Sequence, residues 1–332
     1  MRTMRTREIA ALGKRASVIS MGSTYFGSAM PDEEVFEVLD AFCALGGSFI
    51  DTARAYGEGA AERVIGKWMR ARGNREKLVL DTKGGYVTKG GQAFTRLSRA
   101  DVLGHLEASL EALDTGYVDL YWLHRDDPAR PVGELVETAN ALLETGRVRL
   151  IGASNWSPER LREARSYALS HGLRPFDADQ PQWSLAQMMT REDDTLYEMD
   201  EALYAWHAET GMPCMAYSSQ AKGFFIKLDT LGEEGLSEKS RRRYLCPGNL
   251  KTFEALREMS RQTGRSVGAL ALAYLTSQPF PVYPIVGVSR VSQVEALREA
   301  GETVLTPDQV RTLHALRGEA GRRSGTLGRP PF

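Results

Sequence analysis

The segment Leu78-Val79-Leu80-Asp81-Thr82-Lys83-Gly84 is a short apolar run that ends in a lysine, a pattern that predicts a buried strand. Two other apolar runs in this part of the chain end in ionisable residues, at Asp51 and at His124, and Tyr56 follows Asp51 in the next loop. Such groups can meet only if the strands are parallel neighbours, because their carboxyl ends then lie on one side. The four residues therefore predict a polar site at the carboxyl end of a parallel sheet.

Strand-like and helix-like segments alternate along the rest of the chain and amount to about eight βα units. Lys83 follows Asp51 by 32 positions and precedes His124 by 41. Ser154, at the end of the next strand-like run, follows His124 by 30 positions. Because a βα unit needs roughly 30 residues, these spacings predict an α/β fold, a (β/α)₈ TIM barrel formed by one domain over residues 1–332.

A doubly wound sheet is the alternative architecture, and it would carry a glycine-rich nucleotide fingerprint after its first strand. The nearest match, Gly57-Glu58-Gly59-Ala60-Ala61-Glu62, ends in glutamate and follows Tyr56 rather than a strand. Around the barrel, the pattern predicts an N-terminal hairpin that turns at Gly13-Lys14. It also predicts a long loop over 222–249 after the seventh strand and a mobile tail over 317–332.

Composition excludes several classes of function. The chain has 332 residues, of which 42 are basic and 43 acidic, so a net charge of −1 indicates neither a nucleic-acid partner nor a membrane surface. Cys43, Cys214 and Cys246 are widely spaced and form no metal-type pair, which favours free thiols in a reducing compartment and no bound metal. No apolar run approaches the ~20 residues that span a bilayer. We therefore expect a cytoplasmic protein.

The four strand-end residues suit proton transfer to a carbonyl oxygen while hydride arrives at its carbon. Tyrosine has a pKa near ~10, and the ammonium of Lys83 would lower it by stabilising the phenolate. Asp51 would hold Lys83, and His124 could exchange a hydrogen bond with the same oxygen. Taken singly, each has a simpler interpretation: Asp51 as a cap, Tyr56 as a packed aromatic, Lys83 as a solvated lysine and His124 as a core histidine. Their occurrence together at one mouth favours the catalytic interpretation.

With these residues in hand, the chain resembles the aldo-keto reductase family from about Met4 to Ala300. The motifs that carry the resemblance are Gly46 to Gly57 with Ala61 to Gly66 after it, Leu80-Asp81-Thr82-Lys83, Leu123-His124-Arg125, and Gly152-Ala153-Ser154-Asn155-Trp156. The resemblance implies a barrel capped at its amino end by the hairpin, NADPH bound without a Rossmann fold, and reversible carbonyl reduction.

The resemblance also implies site residues. Tyr56 would donate the proton, Lys83 and Asp51 would tune it, and His124 would orient the carbonyl. The cofactor would be bound by Asp51, Ser154, Asn155, Gln180, Tyr217, Ser218, Ser219, Gln220, Ala221, Gly287, Ser289, Arg290 and Gln293. Outside that context, Ser154-Asn155 could be a helix N-cap pair and Arg290 a solvated arginine.

Loop residues would shape the substrate pocket. The candidate substrate-binding residues are Tyr25, Phe26, Tyr56, Tyr86, His124 and Trp156. Aromatic walls suit a sugar ring or a hydrophobic aldehyde, although each aromatic could equally be a core or loop anchor. A second function stays open: an NADPH-binding regulatory subunit that senses redox state, binds a partner protein and turns over slowly.

Overall fold

A computed structural model describes residues 3–89, 92–190 and 193–323. Its strands are β1 Thr6–Ile9, β2 Lys14–Ser17, β3 Ser20–Gly22, β4 Phe49–Asp51, β5 Val79–Gly84, β6 Tyr86–Lys89, β7 Gln92–Thr95, β8 Val118–Leu123, β9 Val148–Ser154, β10 Ala178–Gln180, β11 Cys214–Ala216 and β12 Val282–Gly287. Its α-helices are α1 Asp32–Ala44, α2 Ala60–Arg72, α3 Arg99–Ala112, α4 Val132–Glu144, α5 Pro158–Ser170, α6 Glu201–Thr210, α7 Phe224–Leu231, α8 Glu238–Tyr244, α9 Pro247–Thr263, α10 Val267–Thr276, α11 Val291–Glu302 and α12 Pro307–Arg323.

Eight parallel strands close into a barrel in the order β3, β4, β5, β8, β9, β10, β11 and β12, with β12 pairing back to β3. At least one helix follows each of these strands along the chain. The predicted (β/α)₈ barrel is therefore confirmed, and the doubly wound alternative is excluded.

Side chains fill the barrel interior. Alternate residues of the strands point inward, and a buried cluster that includes Phe49, Val79, Leu120, Trp122 and Tyr283 forms there. Gly152 makes room for the largest of them, since a Cβ at this position would lie 2.2 Å from the Trp122 ring. The interior is therefore a packed core that supports the mouth above it.

The N-terminal hairpin of β1 and β2 is confirmed, with Thr6 paired to Ser17 and Ile9 to Lys14. Ile9 and Leu12 pack against the interior cluster, to which Ala16 belongs. Lys14 donates a 2.9 Å hydrogen bond to the buried Asp119 near the start of β8. The hairpin thus covers the amino end of the barrel and leaves the carboxyl end open.

Two expectations about the connections need correction. The segment 222–249 contains the helices α7 and α8 rather than one long loop. A tail from residue 317 is wrong as far as residue 323, because α12 runs to Arg323 and Arg317 is only 3% exposed; residues 324–332 lie outside the described part. A second hairpin, β6 with β7, lies between β5 and α3 and was not predicted.

Within residues 3–89, 92–190 and 193–323, no helix is long and apolar enough to cross a bilayer. No group of three or more histidine, cysteine, aspartate or glutamate side chains there could hold a metal ion.

Candidate active site

Asp51, Tyr56, Lys83 and His124 meet at the carboxyl end of the barrel. The Nζ of Lys83 donates a 2.7 Å hydrogen bond to Asp51 Oδ1 and lies 3.4 Å from the Tyr56 hydroxyl. The rings of Tyr56 and His124 meet edge to face, with centroids 6.0 Å apart. Strand β4 ends at Asp51, β5 contains Lys83, and β8 ends one residue before His124. These three strands are neighbours, so the barrel itself fixes the positions of the three residues.

A tight turn after β4 places Tyr56. The two residues that follow it, Gly57 and Glu58, have positive φ angles of 57° and 53°. The backbone N–H of Tyr56 donates to the Ala53 carbonyl at 3.0 Å. This turn carries the chain back to α2 and leaves the Tyr56 ring beside Lys83.

Lys83 is a fully buried ammonium. Burial alone lowers a lysine pKa, but the charge of Asp51, together with Tyr56 and Asp81 in their ionised forms, outweighs it and raises the pKa of Lys83 above its ordinary value. A third acceptor, the Thr52 carbonyl, lies 2.8 Å from Nζ. Lys83 is therefore a permanent positive charge beside the Tyr56 hydroxyl.

The acidity of Tyr56 differs from the expectation. Burial raises its pKa more than the charge of Lys83 lowers it, so the pKa of Tyr56 lies above the ordinary tyrosine value. The expectation of a lowered pKa is wrong in its net direction because removal from water disfavours phenolate. Lys83 acts by offsetting part of that cost.

His124 is neutral near pH 7. Burial and then the charges of Arg125 and Lys83 bring its pKa well below the ordinary histidine value. Its Nδ1 is buried and has no hydrogen-bond partner among the described residues. A neutral imidazole in this place can donate from one ring nitrogen and accept at the other.

Ser154, Asn155, Gln180 and Tyr217 form a second cluster beside the first. The Nε2 of Gln180 donates to Asp51 Oδ1 at 3.0 Å, so this oxygen accepts from both Gln180 and Lys83. Ser154 Oγ donates to the Gln180 carbonyl at 2.9 Å, and the Tyr217 hydroxyl donates to Asn155 Oδ1 at 2.6 Å. The amide and hydroxyl groups at these strand ends have the donor and acceptor chemistry that a carboxamide requires.

The segment after β11 turns sharply. Ser218, Ala221 and Lys222 have positive φ angles of 53°, 48° and 59°, which is unusual for residues other than glycine. Turns of this kind can present successive backbone N–H groups to an anion. A shallow pocket adjoins this turn and includes Ser219 and Gln220 in its wall, although it does not reach Tyr56, Lys83 or His124.

The end of β12 leads to the last group of predicted cofactor residues. Gly287 is exposed, and Ser289 donates from its backbone N–H to Gln293 Oε1 at 2.8 Å. Arg290 is exposed at the start of α11. These residues, with the turn after β11 and the amide cluster, form one arc around the carboxyl end. Their donors and cations fit an anionic dinucleotide.

Comparison with known proteins agrees with this geometry. A model of the Aldo/keto reductase family matches residues 18–317. The chain belongs to this family. Its relatives include aldo-keto reductase YhdN of Bacillus subtilis, 30% identical over 92% of this chain and 92% of the relative. A solved structure of the thermostable aldo-keto reductase Tm1743, with the inhibitor epalrestat, shares 28% identity and a TM-score of 0.71 over 94% of this chain and 100% of that one.

Two other relatives have names that state a chemistry. An aryl-alcohol dehydrogenase [NADP(+)] of Phanerodontia chrysosporium is 29% identical over 93% of this chain and 85% of its own length. Norsolorinic acid reductase B of Dothistroma septosporum is 27% identical over 94% of this chain and 81% of its own length. As a member of the aldo/keto reductase family, this chain is an NADP-dependent oxidoreductase that acts on carbonyl groups.

The aromatic residues expected around the substrate of this aldo/keto reductase divide into two groups. Tyr86 contacts His124 edge to face, with centroids 5.3 Å apart, and Tyr25 is 44% exposed. The prediction that Phe26 and Trp156 line the substrate pocket is wrong, because both side chains are buried in the core outside the barrel strands. Trp156 packs there against Phe176.

Two residues near the site were not predicted. The guanidinium of Arg125 stacks over the Tyr86 ring at 4.5 Å and donates to the His124 carbonyl at 3.0 Å. Asp81 points into the barrel two residues before Lys83, as the alternation of Val79, Asp81 and Lys83 could have indicated. In this aldo/keto reductase, Arg125 therefore orders the mouth from one side, and Asp81 adds a second carboxyl beneath it.

Proposed function

We propose that this aldo/keto reductase uses NADPH to reduce an aldehyde or ketone to an alcohol, and that Tyr56 donates the proton. The observation that supports this most directly is the chain of contacts from Asp51 through Lys83 to Tyr56, beside a neutral His124. No other described cluster joins a buried acid to a buried ammonium at the mouth of the barrel.

The proposed cofactor residues are those of the arc described above. NADPH, when bound, supplies the hydride. Ser154, Asn155 and Gln180 would bind the carboxamide, and Tyr217 would lie against the nicotinamide ring. Ser218, Ser219, Gln220 and Ala221 would surround the pyrophosphate. Gly287, Ser289, Arg290 and Gln293 would hold the adenosine end, with Arg290 as the charged partner of a 2′-phosphate.

The roles of the four catalytic residues follow from their charges. Neutral His124 donates a hydrogen bond that orients the carbonyl oxygen. Tyr56 gives its proton to that oxygen as negative charge develops there. The phenolate left behind is stabilised by the ammonium of Lys83, and Asp51 keeps this ammonium charged and in place.

We further propose an aromatic aldehyde as the substrate class. Tyr25 and Tyr86 offer rings at the mouth, and flat apolar substrates gain about 0.5–1.5 kcal/mol from each well-placed aromatic pair. The name of the aryl-alcohol dehydrogenase relative supports this class over a sugar. Tyr86, held between His124 and Arg125, is the ring with the most fixed position.

The test compares wild-type protein with Tyr56→Phe, using NADPH and a panel that contains a substituted benzaldehyde and a small sugar aldehyde. The variant keeps the ring but lacks the proton, so its reduction rate should fall at least ~10²-fold, while cofactor affinity measured by fluorescence titration changes little. Near wild-type reduction by the variant would remove Tyr56 as the donor. Tight NADPH binding by the wild type with negligible turnover of every carbonyl would instead favour the slow regulatory subunit.

A further inference from the structure

Asp81 is a second buried carboxyl directly beside Asp51. The two residues are register partners on neighbouring strands, β4 and β5. Their exposures are 0% for Asp81 and 2% for Asp51, so neither reaches bulk water. Since parallel register partners point to the same face of a sheet, both carboxyls project into the barrel, with Lys83 one inward position above Asp81.

The surroundings of Asp81 do not suit a carboxylate. Both of its oxygens are buried and lack a hydrogen-bond partner among the described residues. From β8 it faces the indole nitrogen of Trp122, which is also buried without a partner, and from β4 it faces the Asp51 carboxyl. On its own strand it faces Lys83, whose ammonium already has three acceptors, in Asp51, Thr52 and Tyr56.

The balance of charges in this cluster also favours a protonated carboxyl. One ammonium, Lys83, lies beside two carboxyls, so ionising both leaves an uncompensated negative charge in the barrel core. Buried charges that lack a partner are avoided by taking up a proton. When two carboxyls share one site, one of them keeps its proton more tightly.

We propose that Asp81 is a neutral carboxylic acid that keeps its proton, donates a hydrogen bond through it to the Asp51 carboxylate, and acts as a positioning residue for Asp51, Lys83 and Tyr56. Burial, and after it the charge of Asp51, raises the pKa of Asp81 well above the ordinary aspartate value, while Lys83 opposes the shift. The direction of this pKa shift agrees with the buried position of Asp81 beside Asp51.

The role in catalysis rests on the proposed function of Tyr56. With Asp81 neutral, Asp51 and Lys83 balance each other, and the phenolate formed by Tyr56 adds the first net negative charge. With Asp81 ionised, the cluster would already be negative, and Tyr56 would be a weaker acid. Carbonyl reduction should therefore decline as pH rises and Asp81 loses its proton.

Asp81→Asn tests the protonation directly, because the amide is neutral at every pH and still offers a donor to Asp51. Infrared spectra at neutral pH should show a protonated-carboxyl band in the wild type that is lost in Asp81→Asn. Asp119→Asn is the matched control: Asp119 is equally buried but is paired with Lys14 and Arg75, so its replacement should leave the band in place. An unchanged band in Asp81→Asn would overturn the proposal.

The unfolding free energy gives a second measurement. Because the pKa of Asp81 is higher in the folded state than in the unfolded state, its contribution to stability is largest below about pH 4 and is lost as pH rises to the folded-state pKa. The stability of Asp81→Asn relative to the wild type should therefore rise over that range. A constant difference above about pH 5 would mean that Asp81 is ionised in both states and would overturn the proposal.

Kinetics then separate the positioning role from protonation alone. In Asp81→Asn, the decline of carbonyl reduction at alkaline pH should move to higher pH. A lost infrared band with an unmoved alkaline limb would overturn the positioning role. The infrared and stability results need no turnover, so they stand even if Tyr56 proves not to be the donor. If the variant does not fold, the wild-type band followed across a pH series still decides whether a buried carboxyl stays protonated near neutral pH.

Discussion

Lys83 is the residue on which the chemistry of the site depends, because its buried ammonium contacts both Asp51 and Tyr56. Lys83→Met keeps most of the stem and deletes the charge. The pKa of Tyr56 should then rise, since the ammonium lowers it in the wild type. In the proposed mechanism alcohol oxidation requires the Tyr56 phenolate, so its rate should reach its maximum at higher pH than in the wild type. The measurement is the pH profile of alcohol oxidation in protein that still binds cofactor.

Stability must be controlled in this experiment. Removing one partner of a buried ion pair costs about 3–5 kcal/mol, so Lys83→Met will also be less stable. Lys14→Met is the matched control, because Lys14 contacts the buried Asp119 at 2.9 Å at the opposite end of the barrel. This control should lose stability without a change in the pH at which alcohol oxidation reaches its maximum rate. An equal shift in both variants would contradict the tuning role of Lys83.

At this scale the sequence predicted which residues meet and was wrong about some of their surroundings. Asp51, Lys83 and His124 end apolar runs, and strand order alone brings such ends together. The net acidity of Tyr56 depends on how much water the fold excludes, which no local pattern contains. Phe26 and Trp156 were misplaced for the same reason, since an aromatic in a loop sequence can face either the mouth or the core.

At the scale of elements, the close packing of β9 against β8 depends on one glycine. A Cβ at Gly152 would lie 2.2 Å from the Trp122 ring, and strand backbone cannot yield easily there. Gly152→Ala should therefore lower the free energy of unfolding by about 1–3 kcal/mol, the usual cost of overpacking. Thermal or denaturant unfolding measures this loss.

A double-mutant cycle identifies the cause of that loss. In a Trp122→Leu background the ring is absent, so Gly152→Ala should cost much less than in the wild type. Equal costs in the two backgrounds would show that the glycine is needed for its backbone and not for the space it leaves.

The elements that the sequence predicted are those with a long, regular pattern. Helix α3 follows its N-cap Ser98, whose Oγ accepts from the Asp101 N–H at 3.2 Å, and α5 begins with Pro158, both of which are common at helix starts. The β6–β7 hairpin was missed although the sequence carries a signal for it, because Gly90-Gly91 between two short runs is a typical two-residue turn. The helices α7 and α8 were missed because each is short and is stabilised by packing rather than by its own period.

At the scale of the whole molecule, the last helix is anchored by Arg317. Its guanidinium donates to the Ser184 carbonyl at 3.0 Å and to the Met199 carbonyl at 2.9 Å. Arg317→Met keeps the stem and leaves both buried acceptors without this donor. Because an unsatisfied buried group costs about 1–3 kcal/mol, we expect a clear fall in the free energy of unfolding.

The control lies on the same helix. Arg311 is exposed and pairs only with the nearby Asp308 among the contacts described, so Arg311→Met should change stability by no more than about 0.5 kcal/mol. Similar losses in the two variants would contradict an anchoring role for Arg317. The tail was predicted to begin at Arg317 because arginine, glycine and serine are common in mobile ends, and composition cannot show a guanidinium buried against distant carbonyls.

The oxygen of Asp51 that accepts from both Lys83 and Gln180 has a consequence for measurement. It joins the proposed acid to the proposed carboxamide site, so the two equilibria should be linked. Linkage is reciprocal: the factor by which bound cofactor changes the acidity of Tyr56 is the factor by which ionisation of Tyr56 changes cofactor affinity. The dissociation constant of the cofactor, measured as a function of pH, should therefore report the titration of Tyr56 in the absence of turnover.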